Sequence, residues 1–211
     1  MPHDHLSPSG HPFRADNDEP LTYWQVVEIA VRELLIEKGH LTASEVAAQI
    51  DAMDARSPAN GAAVVARAWV DARFKARLLD DAAAASREMG FDIGPLKLIA
   101  VENTARTHNL IVCTLCSCYP RNLLGLPPDW YKTRAYRSRA VREPRAVLRE
   151  FGLDLPADMT VRVHDSTADM RYIVLPSRPA GTEDLDEAAL ARLVTRDAMI
   201  GTGLPRAPHA T

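Results

Sequence analysis

The sequence has no long apolar run. No stretch approaches the ~18 apolar residues of a membrane-spanning helix, and residues 1–20 lack the apolar segment of a secretory signal. We therefore expect a cytoplasmic protein that has no membrane partner. The 211 residues are 46% hydrophobic and 25% charged, which is typical of a soluble globular protein with a hydrophobic core.

The sequence also lacks an excess of charge of one sign. It has 25 basic and 28 acidic residues and a net charge of -3, so no global electrostatic feature favours a nucleic-acid partner, and we expect none. A local basic cluster does occur, and we interpret it as a subunit interface or as a set of internal ion pairs. Its members are Lys132, Arg137, Arg139, Arg142 and Arg145.

Cysteine is scarce and confined to one place. The chain has three cysteines, Cys113, Cys116 and Cys118, all within six consecutive residues. A disulfide framework would need cysteines spread along the chain, so this cluster has another purpose.

Helical periodicity dominates the first part of the chain after a polar tail. Residues 1–20, which include His3, His5 and His11, are predicted to be a disordered tail whose histidines are solvated rather than metal-delivering. Capping-box patterns at residues 22–25 and 42–45 predict two helices, and residues 62–72 and 74–89 favour further helix. We predict a helical arm over residues 21–90, part of which packs on another subunit.

Short apolar runs replace the helical period from Pro95 onward. They lie at residues 96–101, 110–112, 161–163 and 171–175, and a helix is predicted over residues 185–194. We predict an α+β protein whose domain over residues 91–211 combines short strands, flanking helices and the cysteine loop. Asp165 and Arg171 flank a predicted hairpin, and we expect them to pair.

The cysteines directly follow the apolar run 110–112, which predicts a tight loop at the end of a strand. Thiolates two and three residues apart can converge on one ion, and sulfur-rich sites select transition metals over Mg²⁺ or Ca²⁺. A thioredoxin-like pair would leave Cys118 unexplained. A structural zinc site of three cysteines and one histidine, such as His108, stays open as an alternative.

Backbone nitrogen can complete the ligand set. A deprotonated amide and the sulfur of the same residue form a five-membered chelate ring with a metal, so the backbone around Ser117 and Cys118 can bind together with the sulfurs. Such a set of nitrogen and sulfur donors favours low-spin trivalent cobalt or iron.

Residues 112–119 resemble the metal claw of cobalt-type nitrile hydratase α subunits, in which a threonine, here Thr114, occupies the second place. Other stretches resemble the same family in the same order along the chain. They lie at residues 62–69, 101–104, 124–132, 136–145, 178–182 and 193–201. On this resemblance, the chain is identified as a member of that family.

The resemblance implies an enzyme that adds water to a nitrile and forms an amide. Cys113 resembles the axial thiolate, Cys116 the cysteine oxidised to sulfinate, and Cys118 the cysteine oxidised to sulfenate. Ser117 and Cys118 would supply backbone nitrogens to one trivalent, non-corrin cobalt per chain, with iron as the alternative. The sixth position is then open to water or substrate, which makes Cys116, Ser117 and Cys118 the catalytic residues. The resemblance leaves open which oxygen attacks the nitrile.

The resemblance also implies partners. It predicts a heteromer with a nitrile hydratase β subunit, made of one or two polypeptides, whose arginines would contact the oxidised cysteines. A metal-loading activator protein and a small nitrile substrate complete the expected set.

One residue departs from the family pattern. Arg121 stands where many cobalt-type members have a tryptophan, and a Tyr-Pro-Arg sequence is similar to the metal-binding subunit of thiocyanate hydrolase, whose substrate is an anion. We expect Tyr119 and Arg121 to line the substrate pocket, and we keep thiocyanate hydrolase as an alternative function. A non-enzymatic metal-binding module is the alternative from another class.

Overall fold

The computed structural model describes residues 20–208, and the chain divides into one unit that ends at Ile50 and another that begins at Asp51. His3, His5 and His11, together with all of the predicted tail except Pro20, lie outside the described residues. The predicted division into tail, helical arm and catalytic domain at residues 20 and 90 stays a prediction.

The N-terminal unit contains helix α1 (Tyr23–Glu37) and most of α2 (Ala43–Asp54). Both predicted capping boxes are confirmed: Thr22 N donates to the Gln25 side chain at 2.8 Å, and Thr42 N donates to the Glu45 carboxylate at 2.8 Å. No residue of α1 or α2 is buried, and Trp24 is 76% exposed. Their caps, rather than burial within this unit, therefore define where these helices begin.

Three helices open the second unit: α3 (Pro58–Val70), α4 (Ala72–Asp80) and α5 (Ala82–Glu88). The region predicted as one helix over residues 74–89 is divided, because Asp81 has extended backbone angles and its side chain caps α5 by accepting from Ala84 N at 2.9 Å. Asp71 caps α4 in the same way.

The four predicted strands are present as β1 (Lys97–Glu102), β2 (Thr107–Val112), β3 (Thr160–Asp165) and β4 (Met170–Leu175). They form two parallel pairs, β1 with β4 and β2 with β3. The expected hairpin between β3 and β4 is therefore wrong, since these strands belong to different sheets. The β2–β3 register places Val112 opposite Asp165, so the carboxyl ends of both strands lie side by side.

Six short helices complete the second unit, and one of them confirms the helix predicted over residues 185–194. They are α6 (Arg121–Leu124), α7 (Asp129–Lys132), α8 (Arg134–Arg142), α9 (Pro144–Glu150), α10 (Glu187–Leu193) and α11 (Arg196–Ile200). Together with the short strands they confirm the α+β class. No helix within residues 20–208 is long and apolar enough to cross a membrane.

The core of the second unit surrounds β2, whose residues Leu110, Ile111 and Val112 are all at most 1% exposed. Gly201 packs against this strand with a φ of 94°, and a Cβ atom at this position would overlap the Asn109 carbonyl. The rigid strand therefore carries the loop that follows it.

Three arginines of the basic cluster make separate contacts within the chain. Arg139 pairs with Glu143 at 2.6 Å and with Glu150 at 2.5 Å. Arg145 donates to several backbone carbonyls, including that of Pro156 at 3.1 Å. Arg137 makes a different set of contacts, with the cysteine loop.

Candidate metal centre

The three cysteines lie in a loop at the carboxyl end of β2. Cys113 directly follows the buried strand and is fully buried, Cys118 is half-buried and Cys116 is exposed. The loop therefore holds one sulfur beneath its surface and presents the other two toward its open side.

The sulfur atoms converge. Cys113 Sγ and Cys116 Sγ are 3.4 Å apart, Cys116 Sγ and Cys118 Sγ are 3.0 Å apart, and all three atoms lie within 4.8 Å of one another. Two metal–sulfur bonds of ~2.3 Å span at most ~4.6 Å, so the separations of 3.0 and 3.4 Å fit sulfur ligands of one ion.

Backbone nitrogens of the loop face the same sulfurs. Cys116 N donates to Cys113 Sγ at 3.3 Å, and the backbone N–H groups of Ser117 and Cys118 help to lower the pKa of Cys116. The loop thus presents nitrogen and sulfur donors to one point, which is the donor set that suits a low-spin trivalent metal.

The clustering also separates the acidities of the thiols. Hydrogen bonds from Cys118 and Cys113, and then from the backbone N–H groups, lower the pKa of Cys116 to about 7. Burial, followed by the two neighbouring thiols, raises the pKa of Cys118 to about 12, although the positive charge of Arg171 opposes this shift. The most exposed sulfur therefore carries the thiolate character that oxidation and metal binding require.

Asp165 holds the first turn of the loop. Its carboxylate accepts from Thr114 N at 2.9 Å and from Thr114 Oγ1 at 2.5 Å. The β2–β3 register explains this contact, because Asp165 ends β3 directly beside Val112. The expected pairing of Asp165 with Arg171 is therefore wrong: Arg171 donates to backbone carbonyls of the β3–β4 connection, including that of Ala168 at 3.1 Å.

Three side chains from α7 and α8 donate to backbone carbonyls of the same segment. Tyr136 Oη donates to Ile111 O at 2.6 Å, Tyr131 Oη to Cys118 O at 2.9 Å, and Arg137 Nη1 to Cys116 O at 2.7 Å. Burial raises the pKa of both tyrosines, so they remain neutral donors. These contacts hold the strand end and the loop along their whole length.

An aromatic cluster supports the two tyrosines. Trp130 lies edge-on to Phe151 and Tyr136, with ring centroids 4.6 and 4.8 Å apart, and Tyr119 lies edge-on to Tyr131 at 5.1 Å. Because Tyr119, Tyr131 and Tyr136 belong to the core and Trp130 packs against it, the hydroxyl groups beneath the loop have little freedom to move.

Comparison with known proteins identifies the family that contains this site. Residues 22–203, which include the whole cysteine loop, match the family "Nitrile hydratase, alpha chain". The chain belongs to this family. The nitrile hydratase relatives include the low-molecular weight cobalt-containing α subunit of Rhodococcus rhodochrous, 50% identical over 190 residues that cover 85% of this chain and 87% of the relative. The cobalt-containing α subunit of Pseudonocardia thermophila is 49% identical over 82% of this chain and 86% of its own.

Solved structures of two kinds share the fold. A recombinant thiocyanate hydrolase superposes with a TM-score of 0.84 at 40% identity and covers 89% of this chain and 92% of its own. A variant of the Fe-type nitrile hydratase from Comamonas testosteroni Ni1 superposes with a TM-score of 0.83 at 45% identity, over 92% and 95% of the two chains. The fold is therefore common to cobalt and iron enzymes and to both substrate types, so the side chains must separate them.

His108 does not belong to this nitrile hydratase site. Its Nε2 lies 2.7 Å from the Gly201 carbonyl, and its Nδ1 lies 3.3 Å from the Asn103 side chain. In the described part of the chain, no histidine or carboxylate joins the three cysteines as a metal ligand. The zinc alternative therefore loses the fourth ligand that the sequence suggested.

Tyr119 and Arg121 line a cavity of about 100 Å³ together with residues of β1 and α6. Tyr119 is buried, whereas Arg121 is exposed at the start of α6. Lys97 and Arg171 line the same cavity, so three cations face it. Whether this cavity receives substrate stays a prediction.

Sequence reasoning missed the residues that hold the loop. Tyr136 and Arg137 lie in a stretch that resembles the family, and Tyr131 lies in another, but nothing local in either stretch indicates a contact with residues 111–118. Asp165 was assigned to a hairpin that does not exist. The contacts of these four residues form only in the folded structure, where β2, β3 and α8 lie together.

Proposed function

We propose that this chain is the metal-binding catalytic subunit of a nitrile hydratase, which adds water to a carbon–nitrogen triple bond and releases an amide. One observation carries the proposal. In a chain of this family, three sulfurs converge within one strand-end loop that also contains the backbone nitrogens of Ser117 and Cys118.

The donor set supports one trivalent cobalt per chain. Cys113, Cys116 and Cys118 supply sulfur, Ser117 and Cys118 supply backbone nitrogen, and Thr114 stands in the place typical of cobalt-type members. Iron is the alternative metal, since an Fe-type enzyme shares the fold. When bound, the trivalent metal supplies Lewis acidity that activates a nitrile, which is a poor electrophile.

The graded exposure of the sulfurs supports the predicted oxidation states. Cys116 is the most exposed and has the lowered pKa, which favours oxidation to sulfinate, and the sulfenate is assigned to half-buried Cys118 by its place in the family motif. Cys113 is fully buried, so its sulfur is shielded from oxidants. Asp165, Tyr131 and Arg137 keep the loop in place while its open side receives substrate.

The open side of the loop requires a partner. Leu115 is 87% exposed at its tip, and the exposed Cys116 lies beside it. We propose that a nitrile hydratase β subunit covers this face in a heteromer and contributes its arginines, after an activator protein has loaded the metal. The proposed location is the cytoplasm, because three cysteines clustered within six residues do not form the disulfide framework that is typical of secreted proteins.

The test uses the chain produced together with its β subunit and activator. Elemental analysis should find cobalt near one ion per chain, and mass spectrometry of the peptide spanning residues 113–118 should find two added oxygens at Cys116 and one at Cys118. The complex should convert a small nitrile to its amide. Stoichiometric zinc in a complex that hydrates no nitrile would overturn the proposal.

Arg121 favours thiocyanate hydrolysis as the second candidate function. It faces a cavity together with Lys97 and Arg171, a setting that suits an anion better than a neutral nitrile. The γ subunit of thiocyanate hydrolase from Thiobacillus thioparus is 41% identical over 202 residues, covering 89% of this chain and 82% of its own. Turnover of thiocyanate that exceeds turnover of every nitrile in a panel would favour this candidate.

A further inference from the structure

The peptide between Cys116 and Ser117 lies at the exposed turn of the loop, where packing alone cannot hold it. Residues 114–117 are all exposed. Arg137 Nη1 donates to Cys116 O at 2.7 Å and reaches Thr114 O at 3.5 Å. Within residues 20–208, no other side chain donates a hydrogen bond to a backbone carbonyl of residues 114–117.

This contact determines which way the peptide faces. In a planar trans peptide the carbonyl oxygen and the amide hydrogen point in opposite directions. Arg137 holds the Cys116 oxygen on the side of α8, so the Ser117 N–H of the same peptide points away from that helix, and it helps to lower the pKa of Cys116. Rotation of this peptide would turn the nitrogen away from the sulfurs.

The backbone position of Arg137 is fixed by the buried residue that precedes it. The residue before it, Tyr136, is buried, and its hydroxyl donates to Ile111 O at 2.6 Å. Consecutive residues of α8 therefore contact the end of β2 and the turn of the loop. α8 therefore fixes the position of the exposed Cys116–Ser117 peptide relative to the buried strand β2.

We propose that Arg137 is a positioning residue for the metal centre: it holds the carbonyl of the Cys116–Ser117 peptide outward so that the Ser117 nitrogen faces the metal position. The inference rests on the proposed cobalt site and names a role for a residue outside the ligand set. Arg137 acts through the backbone and need not touch the substrate.

The experiment compares Arg137→Met with Arg145→Met in the complex with the β subunit. Arg145 is the matched control, because its guanidinium also donates to several backbone carbonyls, but those belong to residues 155–159, outside the loop. The measurements are cobalt loss to a competing chelator, the visible circular dichroism of the cobalt centre, kcat and KM for one nitrile, and Tm.

For Arg137→Met we expect about 10–100-fold faster cobalt loss, shifted cobalt bands and a fall in kcat that exceeds any change in KM. Arg137→Lys should recover part of each signal, because an ammonium can still donate to one carbonyl. Arg145→Met should lower Tm without changing the cobalt bands. If Arg137→Met does not fold, Arg137→Gln takes its place with the same expectations.

The outcomes separate this inference from the proposed function. One outcome would overturn the positioning role alone. In it, the wild type binds cobalt, and Arg137→Met shows the same cobalt bands and retains cobalt as well as the wild type. Equal changes in the Arg145→Met control would also overturn it, since the effect would then be general destabilisation. Wild type that takes up no cobalt would overturn the proposed function and this inference with it.

Discussion

Burial assigns a different role to each of the three cysteines. Cys113 continues the buried strand, so its sulfur is shielded from oxidants and its backbone position is set by the core. Cys116 and Cys118 lie in the open part of the loop, where their sulfurs are accessible to oxidants. Residue type alone does not distinguish these roles, but position along the loop does.

Replacing any one cysteine with alanine should abolish cobalt retention. Removing a sulfur from Cys113, Cys116 or Cys118 also weakens the chelate rings that share its backbone, so each single variant should lose metal and turnover, and double variants should lose little more. Elemental analysis and nitrile hydration rates measure both effects. A single alanine variant that retains cobalt and activity would show that its sulfur is not a ligand.

Replacing Arg121 with tryptophan should change substrate preference without changing cobalt content. The substitution removes one of three cations around the cavity and adds an apolar wall, so kcat/KM should shift toward hydrophobic nitriles and away from thiocyanate. Arg134→Trp, at an exposed position outside the lining of this cavity, is the control. An unchanged ranking across nitriles and thiocyanate would remove Arg121 from the substrate pocket.

At the scale of elements, α8 connects the core to the loop, and its buried tyrosine tests this connection. Tyr136→Phe retains the ring but leaves Ile111 O without its donor, which should cost about 1–3 kcal/mol of unfolding free energy. Chemical denaturation measures this loss. Tyr172→Phe is the control, because the Tyr172 hydroxyl makes no hydrogen bond within the described residues, and an equal loss there would contradict the explanation.

Local signals predicted the elements better than their pairing. The capping boxes at Thr22 and Thr42 were predicted correctly because a cap and its partner lie three residues apart. The strands were found from short apolar runs. Their parallel pairing was not, since β1 pairs with β4 far along the chain, whereas proximity in sequence favoured a hairpin between β3 and β4.

The same distinction applies to the site. The cysteine loop is a local motif, so the sequence alone predicted that the three cysteines lie together and that a strand precedes them. The residues that hold the loop are remote from it in sequence: Arg137 lies 21 residues from Cys116, and Asp165 lies 51 residues from Thr114. Such contacts depend on the tertiary structure, which the hydrophobic periodicity of the sequence does not reveal.

At the scale of the whole molecule, one buried histidine joins distant parts of the second unit. His108 at the start of β2 reaches the carbonyl of Gly201, which follows α11, while Asn103 contacts its other ring nitrogen. Loss of solvation on burial lowers the pKa of His108, and the hydrogen bond to Gly201 only partly opposes this shift. The folded state therefore favours the neutral ring.

Acid should destabilise the protein through this ring. Because the pKa is lowered on folding, the contribution of His108 is complete above the unfolded value of ~6.5 and is lost as the pH falls below it. His108→Gln keeps a donor for Gly201 but cannot titrate, so its Tm should fall less between pH 7 and pH 5 than that of wild type. His40→Gln, at an exposed position, is the control and should retain the wild-type slope. Parallel slopes in all three proteins would exclude His108 as the titrating group.

The contact between Thr114 and Asp165 bears on the order of events during synthesis. Tyr131, Arg137 and Asp165 all follow the cysteines in the chain, so a ribosome releases the three thiols before any of the residues that hold their loop. A nascent chain that ends before β3 exposes the cysteines without an ordered backbone around them. The loop can therefore take its folded form only after the second strand of its sheet has been translated.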